Sequence, residues 1–134
     1  MEARHDTPVV TARDIRQFQA DKRAANKRLN AELWHRASQD ADAIVKMIIA
    51  QFAPRTIYQW GSVLDGETFT DISDIDIAVE GLGAAERYFA LLAAAEPMTR
   101  FPLDLVELEH VEPEYAALIR KYGRCVYRRT QGGD

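Results

Sequence analysis

Cysteine is nearly absent from this 134-residue chain, where Cys125 stands alone. One thiol closes no internal disulfide, so the fold must rest on its apolar core. In the strand-like context Arg124-Cys125-Val126-Tyr127 it reads as a buried thiol in a reducing cytoplasm. Long apolar runs are missing too. Nothing approaches the roughly 20 residues needed to span a bilayer, and Met1 to Asp6 lacks an apolar leader, which predicts a cytoplasmic protein with no membrane contact. A basic excess is also lacking: the formal net charge is −4, which argues against nucleic acid as a partner. No internal repeat or low-complexity stretch breaks the chain. Hydrophobic residues make up 47% and charged residues 28%, enough apolar material for one core and too little net charge for disorder.

The pattern along the chain is layered. Residues 1–10 read as a loose lead-in. Thr11 or Asp14 is placed to cap a helical tract that runs to Ala53 and stops before Pro54. Apolar density rises after Leu33, which suggests two helices with a joint near Asn26–Asn30. That divides the chain into an arm, residues 1–30, and a domain with its leading core helix, residues 31–134. The run Lys22, Arg23, Lys27 and Arg28 reads as a solvated face of the arm.

Strands are expected at 56–60, 74–80 and 101–108, and a short final one at 124–129. A helix over 84–95 should turn Phe89 and Leu92 inward. Another, opened by Pro113 and closed by Gly123, should use Tyr115, Leu118, Ile119 and Tyr122 as its inner face. The fold class is therefore α/β (α+β): one small mixed sheet packed with helices behind an N-terminal helical extension.

Chemistry concentrates in two places. Gln59-Trp60-Gly61-Ser62 ends one strand, and Ser73-Asp74-Ile75-Asp76-Ile77-Ala78-Val79 begins the next. Residues two apart on a strand share a face, so Asp74 and Asp76 lie side by side. Two such charges about 4 Å apart repel by roughly 4 kcal/mol near a protein surface. Asp104 interrupts the apolar run Phe101-Pro102-Leu103-Asp104-Leu105-Val106, where an unpaired carboxylate would be costly. Either an arginine such as Arg100 or Arg120 compensates it, or a hard divalent cation gathers all three acids. Mg²⁺ is held by a few carboxylates and substrate phosphates, so the set is minimal equipment for a nucleoside triphosphate. His5, His35 and His110 are scattered without ligand spacing. Glu107 and Glu109 point away from Asp104 on the third strand.

Together, Gly61-Ser62, Asp74-Ile75-Asp76, Leu103-Asp104-Leu105-Val106-Glu107-Leu108 and Ile119-Arg120-Lys121-Tyr122-Gly123 followed by Val126-Tyr127 resemble the nucleotidyltransferase superfamily that includes DNA polymerase β. Within it they are most similar to the minimal nucleotidyltransferase (MNT) domains. The match runs over roughly residues 56–128. It differs from the common pattern in the eleven residues between Ser62 and Asp74, in Val63 where an arginine is frequent, and in Trp60 where phenylalanine is usual.

The resemblance implies a catalytic and Mg²⁺-binding triad of Asp74, Asp76 and Asp104, with Gly61 and Ser62 against the triphosphate of a nucleotide, ATP first among them. It also implies transfer of AMP to a hydroxyl acceptor on a HEPN-type partner protein, as MNT antitoxins do to their toxins. A competing expectation is a non-enzymatic module that caps a partner through its N-terminal helices. Self-association into a homo-oligomer is compatible with either.

Overall fold

The structure, a computed structural model, describes residues 9–130. The lead-in residues before Val9, His5 among them, lie outside the described residues.

Helix α1 spans Ala12–Phe52 without interruption. The joint expected near Asn26–Asn30 is not there. Its start is set by a capping box: the Asp14 amide donates to Thr11 Oγ1 at 3.1 Å and the Thr11 amide donates to Asp14 Oδ2 at 3.0 Å. No glycine or proline lies between the cap and Ala53, so nothing breaks the backbone ladder over a length of about 60 Å. The change in apolar density that suggested two helices marks a change in surroundings instead. Residues 12–29 are exposed, whereas Ala37, Ala41, Ile44, Val45 and Ile48 are buried.

Four strands follow in one mixed sheet of order β3-β2-β1-β4: β1 Thr56–Trp60, β2 Ile75–Glu80, β3 Leu103–Glu107 and β4 Arg124–Arg128. Strand β1 is antiparallel to β2 and β4, and β2 is parallel to β3. The parallel pair needs a crossover, which α2 (Ala85–Ala95) supplies. Helix α3, Pro113–Tyr122, connects β3 to β4.

The two faces of the sheet are filled differently. Ile57, Ile75, Ile77, Val79 and Leu105 pack with the buried stripe of α1 and with Leu91 and Ala95 of α2. Tyr58, Ala78 and Leu108 pack with Ala116 and Ile119 of α3 in a second, smaller cluster. The alternation along β2 therefore sends its odd residues to the main core and its even ones to the α3 side.

Several expected inward residues are exposed. Phe89 is 66% exposed, because α2 rests on the core through Leu91 and Ala95. Tyr115, Leu118 and Tyr122 face solvent at 37%, 52% and 71% exposure, and only Ala116 and Ile119 of α3 are buried. Cys125 is exposed as well: β4 is the sheet edge, and α3 does not cover that position. In the other direction, Phe69 in the loop after β1 is 1% exposed and meets Phe101 edge-on at 5.7 Å. That aromatic pair anchors an otherwise irregular loop to the core.

Candidate active site

Register brings the acids together. Asp76 of β2 is the pairing partner of Asp104 in β3 on one side and of Trp60 in β1 on the other. Trp60, Asp76 and Asp104 thus form one row across three strands. Asp74 lies in the irregular segment just before β2, which begins at Ile75 rather than at residue 74.

The crowding has an electrostatic signature. Burial first, then the charges of Asp104 and Asp74 and a hydrogen bond shared with Asp104, push the Asp76 carboxyl up to about 7. The same field reaches α3. Burial, then the charges of Asp104 and Asp76, hold the Tyr115 hydroxyl above its ordinary value. The Tyr115 ring meets Trp60 edge-on at 5.5 Å.

Among the described residues, no arginine pairs with the cluster. Arg120, one of the two residues suggested as a partner for Asp104, donates instead to Glu80 Oε2 at 3.0 Å. Glu80 also accepts from Thr56 Oγ1 at 2.9 Å and lies 4.0 Å from Arg55. Burial raises the Glu80 carboxyl, but Thr56, Arg120 and Arg55 outweigh it and hold it below the ordinary value. Arg120 and Arg55 are thus engaged at the far end of β2. Arg100 forms no ion pair among the described residues.

Gly61 and Ser62 open a 3-10 turn, Gly61–Leu64, directly after β1. Gly61 has φ +78°, and a Cβ built there would stand 2.2 Å from Asp76 Oδ2. Glycine is therefore required twice, by the left-handed backbone and by the carboxylate that lies against it. The turn is held from outside the sheet: Trp34 of α1 donates from Nε1 to the Val63 carbonyl at 2.8 Å. Its ring lies under Gly66, where a Cβ would be 2.8 Å away. Sequence reading found the Gly-Ser pair and the acids, but not Trp34 or Tyr115. Both carry ordinary core-like signals, and only long-range packing gives them a place beside the site.

The donor set is hard oxygen, which suits Mg²⁺. Among the described residues no three or more His, Cys, Asp or Glu side chains are gathered closely enough to hold a metal ion by themselves. The tight element is the Asp76–Asp104 pair, with Asp74 adding charge from farther off. Such a pair, left with unrelieved repulsion on a partly buried surface, fits a divalent cation well. Glu107 lies on the opposite face, buried and 3.1 Å from His110 Nδ1. His35 is 3.4 Å from Gln39 on the exposed side of α1. Neither histidine joins the site.

Comparison with known proteins agrees with this geometry. The family model "Polymerase beta, Nucleotidyltransferase" matches residues 42–132. A crystal structure of a mutant MntA–HpeT toxin–antitoxin is similar at a TM-score of 0.55 and 18% identity, over 66% of this chain and 73% of that one. Another, of a toxin–antitoxin with AMP-PNP, is similar at a TM-score of 0.53 and 21% identity, over 65% and 73%. At such identities the likeness speaks for the fold. No curated protein matches the sequence significantly. The described residues contain no helix both long and apolar enough to cross a membrane. With a Gly-Ser turn seated against paired aspartates on a mixed sheet, and a family match covering well over half its length, the chain belongs to the polymerase β nucleotidyltransferase family.

Proposed function

We propose that this nucleotidyltransferase moves AMP from ATP to a hydroxyl on a partner protein, in a Mg²⁺-dependent reaction. One observation carries the reading: Asp76 and Asp104 are held in register on adjacent strands with no cation among the described residues paired to them, and Gly61 is fitted against Asp76. Such an arrangement loses free energy unless it serves a ligand.

Mg²⁺, when bound, offsets the triphosphate's charge and lowers the pKa of the acceptor hydroxyl. Asp74, Asp76 and Asp104 are the side chains that would hold it. Asp104 is the general base, taking the proton of the acceptor hydroxyl as that oxygen attacks the α-phosphorus. Pyrophosphate leaves on the opposite side. Gly61 lets the backbone approach the phosphates, and the Ser62 hydroxyl donates to a β- or γ-phosphate oxygen. Trp34 steadies this turn through its bond to the Val63 carbonyl.

A HEPN-type partner protein as acceptor is supported by two structural neighbours that are toxin–antitoxins, one of them with AMP-PNP. The exposed half of α1 suits docking. Residues 12–30 carry six basic side chains against two acidic ones and expose Ile15, Phe18 and Leu29. Here the arm, residues 1–30, is a docking element and residues 31–134 are the catalytic domain. A cytoplasmic setting follows from that role.

The test is transfer of label from α-labelled ATP in Mg²⁺, with and without the product of the adjacent gene. Label should appear on the partner and vanish with Asp76→Asn or Asp104→Asn. Full labelling by either variant overturns the assignment. Tight partner binding with no labelling by the unaltered protein would favour the non-enzymatic cap.

A further inference from the structure

Beside the carboxylates lies a hollow of about 380 Å³ lined by Trp60, Gly61, Tyr115, Leu118, Tyr122 and their neighbours on α3. Its walls are nearly all apolar, and three of them are large side chains that a folded domain would ordinarily cover. Tyr115, Leu118 and Tyr122 recur at i, i+3 and i+7, so they form one stripe along α3, and all three are exposed. The stripe does not serve the core, since Ala116 and Ile119 do that.

Its position is informative. Gly61 belongs both to the hollow and to the contact with Asp76, so the hollow opens beside the reacting groups. Trp60 stands in the same cross-strand row as Asp76 and Asp104, and Tyr115 leans from α3 onto Trp60. The volume lies in the range of small-molecule sites, about 300–1,000 Å³, and such sites are lined as this one is, by apolar and aromatic side chains. The hollow adjoins Gly61, where the triphosphate is placed, which favours a ring carried by that ligand over a separate protein segment. A planar ring attached to a triphosphate at Gly61-Ser62 would need a recess of this size and place.

We propose that the hollow of Trp60, Tyr115, Leu118 and Tyr122 receives the nucleobase of the triphosphate, which stacks there and is read by shape rather than by hydrogen bonds. The inference rests on the nucleotide-transfer reading above and goes further by naming how the nucleotide is selected. Every base has a π-face, so stacking on aromatic walls tolerates sequence. No charged side chain lines the hollow to favour one base edge over another. The site therefore accepts purine triphosphates with little discrimination and holds pyrimidines, with their smaller rings, less well.

Calorimetric titration of the full chain in Mg²⁺ with ATP, GTP, UTP and inorganic triphosphate tests this. ATP should bind at least about tenfold more tightly than inorganic triphosphate, as one stacked base warrants. GTP should fall within tenfold of ATP, and UTP should be weaker than both. Tyr122→Ala and Leu118→Ala alter exposed residues, so the fold should persist, as circular dichroism would check. Both should erase most of the advantage of ATP while leaving inorganic triphosphate unchanged, and Tyr122→Phe should restore it.

Equal binding of ATP and inorganic triphosphate by the unaltered chain overturns the base pocket but leaves the triphosphate site standing. Binding of neither overturns the nucleotide-transfer reading itself. A preference for one purine above tenfold, or an ATP advantage that survives both alanine variants, also overturns the proposal. The second of these outcomes would assign the stripe to a protein partner instead.

Discussion

Replacing Asp76 with asparagine should stabilise the metal-free protein, and the size of the gain should depend on pH. The folded-state carboxyl titrates at about 7 against an ordinary 3.8, with burial the largest cause and the charges of Asp104 and Asp74 next. A group raised in the folded state binds more protons there than in the unfolded chain. Stability is therefore fully present below pH 4 and is lost as pH rises toward 7. At face value the shift corresponds to about 4 kcal/mol. Asp76 is only partly buried, and solvent screening brings the expected figure to about 1–2 kcal/mol.

Asparagine mimics the protonated acid, so at pH 8 with a chelator the Asn variant should melt above the unaltered protein. For a domain of this size the gap is about 3–10 °C. At pH 4 the two should coincide. Adding Mg²⁺ should raise the unaltered protein and leave the variant nearly still, because binding to the native state alone stabilises it. Differential scanning calorimetry at both pH values reads all of this. A variant no more stable than its parent at pH 8, or a gain of equal size at pH 4, would refute the claim that the carboxylates crowd one another.

Gly61→Ala should lower stability by about 1–2 kcal/mol through its positive φ, and should also abolish transfer, because its Cβ would displace Asp76. Normal melting and turnover would show that the turn has another shape. Trp34→Phe removes the bond to the Val63 carbonyl and should cost about 1–2 kcal/mol. It should raise KM for the nucleotide more than it lowers kcat, in steady-state assays with the partner. Removing residues 1–28 should leave a cooperative urea transition with a similar slope and weaken capture of the partner, read by size-exclusion chromatography. Global unfolding of that truncation would make the arm part of the core.

Local sequence chemistry accounts for much of this protein. The Thr11–Asp14 box, the proline that opens α3 and the alternation of Ile75, Ile77 and Val79 are short-range signals, and each produced the expected element. Gly61-Ser62, Asp74, Asp76 and Asp104 stood out in the sequence as candidates, and the structure brings Gly61, Asp76 and Asp104 together. Periodicity misled in α3, where one helical face offered Tyr115, Leu118, Ile119 and Tyr122 together. The sheet is narrow, and it covers only Ile119 of these, along with Ala116. Density of apolar residues misled in α1, since a helix needs no buried face to continue across a stretch that is mostly Ala, Arg, Lys, Gln and Leu and lacks Gly and Pro. Register was beyond reach of the sequence. That Asp76 meets Asp104 rather than a neighbour two residues away depends on the crossover through α2 and on the packing of Leu91 and Ala95 beneath it. The aromatic hollow beside Gly61 has the same origin, because its walls come from β1 and α3, segments more than fifty residues apart that only the tertiary fold brings together.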